Sequence, residues 1–82
     1  MRLDKYLKVT RLIKRRTVAN DACDSSKITV NGKVAKASYT VKIGDEIQIT
    51  FGERALKVRV VSITESIHKS DAASMYEILE NQ

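Results

Sequence analysis

Apolar residues recur at two different spacings along this chain, and the change of spacing separates a helical front from a stranded remainder. Leu3, Tyr6, Leu7 and Thr10 fall within about a 100° arc at helical spacing. That stripe predicts a short helix over residues 2 to about 9, with Lys5 and Lys8 on its other side and Asp4 in reach of Lys8 at i,i+4. Leu12 and Ile13 break the period, so the helix is expected to end near Thr10 or Arg11 and the chain to turn through Lys14-Arg15-Arg16. Thr17 reads as the N-cap of a second helix, roughly 18–25, with Val18, Ala19, Ala22 and Cys23 on its apolar side and Asp21 in its first turn. Ser25-Ser26 stands where a stop glycine would be usual, so that end is expected to fray.

The period then drops to two. Ile28-Thr29-Val30, Asn31-Gly32 and Lys33-Val34 spell a β-hairpin, because a two-residue type I′ turn needs positive φ at both central residues and Asn-Gly supplies it. Residues 37–42 read as a connection and Ile43-Gly44-Asp45 as a second turn. Ile47, Ile49 and Phe51 alternate with Gln48 and Thr50, a half-buried strand. After a turn at Gly52-Glu53, Leu56, Val58 and Val60 alternate with Lys57 and Arg59, and this strand is expected to run on to Ile63. Ser66 to Ser74 reads as a loop, and Met75 to Leu79 as a last strand or a short helix, with strand preferred. The order predicts an α+β domain: two short N-terminal helices packed on a small antiparallel sheet of four to five strands.

Composition narrows the class. Eighty-two residues make one domain, 1–82, and 43% hydrophobic with 30% charged residues is the balance of an ordinary globular chain. No apolar run approaches the roughly 18 residues of a membrane span, and charge at Arg2, Asp4 and Lys5 stands where a signal peptide would be apolar. A single cysteine excludes an internal disulfide framework. A cytoplasmic protein without membrane contact is therefore expected. The net charge of +5 is unevenly placed: residues 1–42 carry eleven Lys/Arg against three Asp/Glu, whereas residues 43–82 carry four against seven. A domain polarised in this way attracts polyanions to its basic face.

Catalytic signatures are missing from the sequence, so no enzyme and no cofactor are expected. His68 has no nearby partner for a metal site or a triad. The three glycines are isolated turn residues rather than a phosphate loop, and Cys23 reads as a small buried hydrophobe. A binding surface, by contrast, is well supplied. Arg2, Lys5, Lys8, Arg11, Lys14, Arg15 and Arg16 crowd the first helix and the bend after it, and Lys33 and Lys36 come from the hairpin. Helices packed against that hairpin would merge these groups into one basic surface, in which the planar arginine fork suits phosphate. Stacking aromatics are few, since Tyr6 and Phe51 read as buried and only Tyr39 and Tyr76 remain. This argues against a sequence-tolerant single-strand binder, and the lack of a long recognition helix argues against DNA. Recognition of folded RNA by shape and backbone is the reading left. The acids of the second half, Glu46, Glu53, Glu65, Asp71, Glu77 and Glu80, read as solvated charge.

Arg2-Leu3-Asp4-Lys5-Tyr6-Leu7, then Arg11, Lys14-Arg15-Arg16-Thr17, Ala19 and Ala22 resemble the opening of the alpha-L RNA-binding domain first recognised in bacterial ribosomal small-subunit protein four. Lys27 to Gly32, Lys36-Ala37-Ser38 and Val41 to Asp45 continue the likeness, which covers about residues 1–51 and leaves 52–82 as a strand-rich extension. Ser26 and Ala37 depart from it, where the family often has Gly and Pro. The opening Met1 to Val9 and the segment Ala72-Ala73-Ser74-Met75-Tyr76 are similar to a stand-alone branch of the same type in Gram-positive bacteria, the RqcP family, which is related to heat-shock protein fifteen. That resemblance implies a ribosome-associated quality control factor, cytoplasmic and monomeric. Its expected partners are the RNA of obstructed large ribosomal subunits, the peptidyl-tRNA they hold, and the RqcH protein during C-terminal alanine tailing. It also implies that Arg2 and Arg16 contact RNA, with Asp4 orienting a nearby arginine. A heat-shock-type recycling factor, or a general binder of structured RNA, is the alternative.

Overall fold

The computed structural model describes residues 1–63 and 74–81. The loop expected over Ser66 to Ser74 lies, apart from Ser74, outside them, as do Glu65, His68 and Asp71.

Helix α1 (Leu3–Val9) starts after an extended Arg2 and has no side-chain cap. Its first amides instead find acceptors in the connection: Leu3 donates to the Tyr39 carbonyl at 2.8 Å and Asp4 to that of Ala37 at 3.2 Å. These bonds satisfy N–H groups that a helix start leaves open. The expected stripe is the buried face, and Leu3, Tyr6, Leu7 and Thr10 are all buried. The helix closes through Arg11, which adopts the left-handed conformation at φ 62° and donates to Lys8 at 3.0 Å, while Ile13 donates back to Leu7 at 3.1 Å. Asp4 does not reach out to Lys8; it is buried and turned toward two arginines.

Helix α2 (Arg16–Asp24) corrects two expectations. Its N-cap is Arg15, extended at φ −117°, ψ 132°, so Thr17 lies inside the first turn and Asp21 beyond it. The start moves back because the Arg16 side chain is held by Asp4 of α1, a tertiary contact that outweighs the local preference of threonine for a cap. The other end does not fray. Ser26 takes φ 60°, its amide donates to Cys23 at 3.1 Å, and that of Lys27 donates to Ala22 at 3.0 Å, a complete Schellman closure built on serine. Ala19 and Cys23 are buried against the sheet, and Val18 is exposed.

Five antiparallel strands follow, β1 (Ile28–Val30), β2 (Lys33–Val34), β3 (Glu46–Phe51), β4 (Arg54–Val60) and β5 (Tyr76–Asn81), in the spatial order β2-β1-β3-β4-β5. The β1–β2 turn has Asn31 at φ 54° and Gly32 at φ 84°, as a type I′ turn requires. Alternation places two rows of side chains across the sheet toward the helices: Ile28, Ile49 and Leu56, and Val30, Ile47 and Val58. They form one core with Leu3, Tyr6, Leu7, Ala19 and Cys23. Phe51, expected to be buried, is the last residue of β3 and is 48% exposed. Strand β4 ends at Val60 rather than Ile63, because Val61 and Ser62 both turn their amides to the Met75 carbonyl, at 2.8 and 3.1 Å. The buried Tyr6 hydroxyl donates to that same carbonyl at 2.8 Å, which ties α1 to the start of β5.

Candidate nucleic-acid interface

Asp4 sits in the second position of α1 with its side chain 3% exposed, a burial that a lone carboxylate does not tolerate. Five contacts compensate it. Arg2 donates from Nε to Oδ1 at 3.2 Å and from Nη2 to Oδ2 at 3.4 Å. Arg16 donates from Nε to Oδ2 at 3.3 Å, Asn20 from Nδ2 at 3.5 Å, and the Lys5 amide to Oδ1 at 2.8 Å. Burial pushes the Asp4 pKa up, but the Arg16 and Lys5 hydrogen bonds and the charges of Arg16 and Arg2 together outweigh it and hold the carboxyl below its ordinary value. The carboxylate therefore stays ionised at neutral pH and fixes two guanidinium groups side by side. Both remain about half exposed. Two cations around one anion leave a net positive charge, with the guanidinium edges turned from the carboxylate open to a ligand.

From this pair a line of cations runs to the hairpin. Arg2 and Lys36 line one groove of about 550 Å³ between α2 and the hairpin arm, with Asn20, Ser26 and Ser38 beside them. Lys36 and Lys33 line the adjoining recess of about 690 Å³. Arg16, Arg2, Lys36 and Lys33 are thus brought together by adjacent cavities and a shared carboxylate. The other sequence-predicted residues are not gathered into these grooves. Lys8, Arg11, Lys14 and Arg15 are exposed and Lys5 is half-buried, along α1 and the strap that leads from it to Arg16. Asp24 lines the first groove and Asp21 a smaller one beside Arg16, which tempers the field locally.

Among the described residues, the paired acids of the second half are engaged away from this line. Glu46 pairs with Lys57 at 3.3 Å and Glu77 with Arg59 at 3.5 Å, both on the sheet. Asp45 is buried in a network of its own: it accepts from the Tyr39 hydroxyl at 2.8 Å, the Lys42 amide at 2.9 Å and Asn31 Nδ2 at 3.1 Å. Asn31 Oδ1 in turn accepts from the Glu46 amide at 3.1 Å, so the hairpin turn is pinned to the 42–45 turn. Two participants escape a reading of the sequence. Asn20 lies one helical turn after Arg16, a spacing that puts both on the Asp4 side of α2. Asn31 reads locally as a turn former alone.

Among the described residues, no group of three His, Cys, Asp or Glu side chains is arranged to hold a metal ion. Burial pushes the Cys23 thiol up to about 11, with Asp4 and Asp24 adding to the effect, so it is an inert core group. No described helix is long and apolar enough to cross a membrane.

Fold and site together define a small α+β domain with a row of cations led by two arginines anchored on one carboxylate. The chain belongs to the S4 domain family, whose model matches residues 1–47. It is 53% identical over 79 residues to a Streptococcus pneumoniae protein named RQC P-site tRNA stabilizing factor, covering 96% of this chain and 90% of that protein. A Halalkalibacterium halodurans protein of the same name is 49% identical over 82 residues, covering 100% and 93%. Among solved structures, the trimeric heat shock protein 15 of Vibrio cholerae superposes with a TM-score of 0.88 at 29% identity, covering 96% of this chain and 81% of that one. The expectation of two helices on a small antiparallel sheet holds, with five strands.

Proposed function

We propose that this protein is a non-catalytic factor of ribosome-associated quality control. It binds obstructed large ribosomal subunits, contacts ribosomal RNA and the peptidyl-tRNA in the P site, and supports alanine tailing by RqcH. The full-length similarity to proteins named RQC P-site tRNA stabilizing factor supports the setting. The observation that carries the chemistry is the shared Asp4 carboxylate, which holds Arg2 and Arg16 as a preformed pair for RNA phosphates. Lys36 and Lys33 continue that contact, and Lys5, Lys8, Arg11, Lys14 and Arg15 extend it along the neighbouring RNA. The protein works in the cytoplasm as a monomer: Lys33 on the two-residue edge strand β2 and Glu77 and Glu80 on edge strand β5 discourage edge pairing with a second copy.

Charge reversal at Arg16 tests this. Arg16→Glu sets a second carboxylate against Asp4, and co-sedimentation with large subunits at physiological salt is expected to be lost; unchanged co-sedimentation refutes the assignment. Neutralising about six phosphates gives a log–log salt slope near −5 on duplex-like RNA, against which a flat response would count. The fold likeness to heat shock protein 15 favours a second reading, a recycling factor on the same subunit. Recovery of RqcH with alanine-tailed chains on affinity purification separates the first reading from the second.

A further inference from the structure

We infer that the recess under the β1–β2 hairpin receives an unpaired nucleotide of the bound RNA, with its base against Val34 and Tyr39 and its flanking phosphates on Lys33 and Lys36. This deepens the RNA-binding reading and rests on it.

Three features of the recess point to one flipped-out nucleotide rather than to continuous duplex. Its volume of about 690 Å³ exceeds the 550 Å³ of the Arg2 groove beside it and falls within the range of sites that take a small ligand. Its walls combine apolar and cationic groups: Val34 is 60% exposed, Tyr39 is half-buried, and Lys33 and Lys36 stand on the same walls. A single exposed valine is unremarkable on a surface, but Val34 lines this recess and the Arg2 groove together, where the core makes no use of it. The third feature is rigidity. The Tyr39 hydroxyl is held by Asp45 at 2.8 Å and its carbonyl by the Leu3 amide at 2.8 Å. Asn31 is bonded to Asp45 and Glu46, which fixes the hairpin tip. An aromatic ring already anchored at both ends loses little freedom when a base packs on it.

The recess and the Arg2 groove share Val34, Ala35, Lys36 and Ser38. A strand whose phosphates follow Arg16, Arg2 and Lys36 therefore passes the mouth of the recess, where one base that is not paired turns in. Complementarity of charge selects this occupant: both lysines line the recess, and the phosphates on either side of the flipped base supply the anions. The preference is for RNA carrying a bulge or a loop beside a paired stem.

Fluorescence anisotropy of the full chain with two labelled RNA hairpins tests the inference, one fully paired and one carrying a single bulged adenosine. The bulged RNA is expected to bind about tenfold more tightly, the size of one base–aromatic stack. Tyr39→Phe keeps the ring but frees it from Asp45, so it retains part of the preference, and Tyr39→Leu abolishes the preference while the paired hairpin still binds. Val34→Ser, at a position too exposed to compromise folding, lowers the preference roughly threefold. Equal binding of both RNAs by the unaltered protein overturns the inference and leaves the RNA-binding reading standing, whereas binding of neither removes that reading itself. A preference that survives both Tyr39→Leu and Val34→Ser places the base elsewhere and also overturns it.

Discussion

Asp4→Asn removes one charge from the centre of the site and keeps its shape. In the folded protein the carboxylate accepts from two guanidinium groups, one side-chain amide and one backbone N–H, and its side chain is 3% exposed. The asparagine presents an NH2 group to at least one arginine Nε, so a donor faces a donor. Breaking a fully buried ion pair costs about 3–5 kcal/mol. Here both arginines are about half exposed and rehydrate when released, which places the loss nearer 2 kcal/mol. For a domain of this size that is a fall of roughly 10 °C in Tm.

Two binding readouts of this variant are expected to move in opposite directions. Net charge rises by one, so binding to arbitrary polyanions strengthens slightly. Binding to the proper RNA target weakens about tenfold, because the paired guanidiniums lose their fixed geometry. Filter binding across a potassium chloride series measures both, and thermal unfolding the loss of stability. A variant as stable as the parent, with tighter binding to every RNA in proportion to its charge, would refute the anchoring role of Asp4. The same group sets a pH dependence. Its pKa is lower folded than unfolded, so its contribution is complete above the unfolded value of about 4 and disappears as the pH falls through the lower, folded value. Urea titrations are expected to show that part of the acid destabilisation missing from Asp4→Asn.

Three further predictions concern the frame around the site. Ser26→Gly relieves the left-handed strain at φ 60° in the α2 closure and is expected to stabilise the protein by about 0.5–1 kcal/mol in urea unfolding. Gly32→Ala meets no atom within 4 Å but must adopt φ 84°, so it is expected to cost about 1 kcal/mol and to weaken RNA binding through Lys33 and Lys36. Cys23, buried and with its thiol held at about 11, is expected to resist a thiol reagent at neutral pH until the chain unfolds; rapid native-state labelling would contradict its burial.

What the sequence makes legible here is local. The α1 stripe and the Asn31-Gly32 hairpin follow from periodicity and backbone preference within a few residues, and both stand in the structure as expected. Several misreadings come from tertiary contacts, whereas the α2 end, expected to fray, is closed by local bonds on Ser26 and Lys27. Thr17 loses the N-cap because Asp4, from another helix, fixes Arg16. Asp4 turns from Lys8, one turn away on its own helix, because two arginines offer better desolvated bonds. Phe51 continues an alternation that predicts burial, but it is the last residue of β3 and borders an open cavity with Leu12, Val18 and Ala22, which leaves it about half exposed. The basic surface is legible as a composition, whereas the order of its members is not. That order depends on which grooves the fold creates, and these set Arg2, Lys36 and Lys33 in a line while Lys8 and Arg11 stay outside them.

The Met75 carbonyl receives a hydroxyl from α1 and two amides from the residues just after β4, so residues 69 positions apart meet at a single oxygen. Unzipping β5 would strand the Tyr6 hydroxyl in an apolar interior, and the penalty falls on the helix that carries Asp4. Opening of the last strand is therefore expected to lower the protection of the cationic front as well, a coupling that amide hydrogen exchange would register in α1.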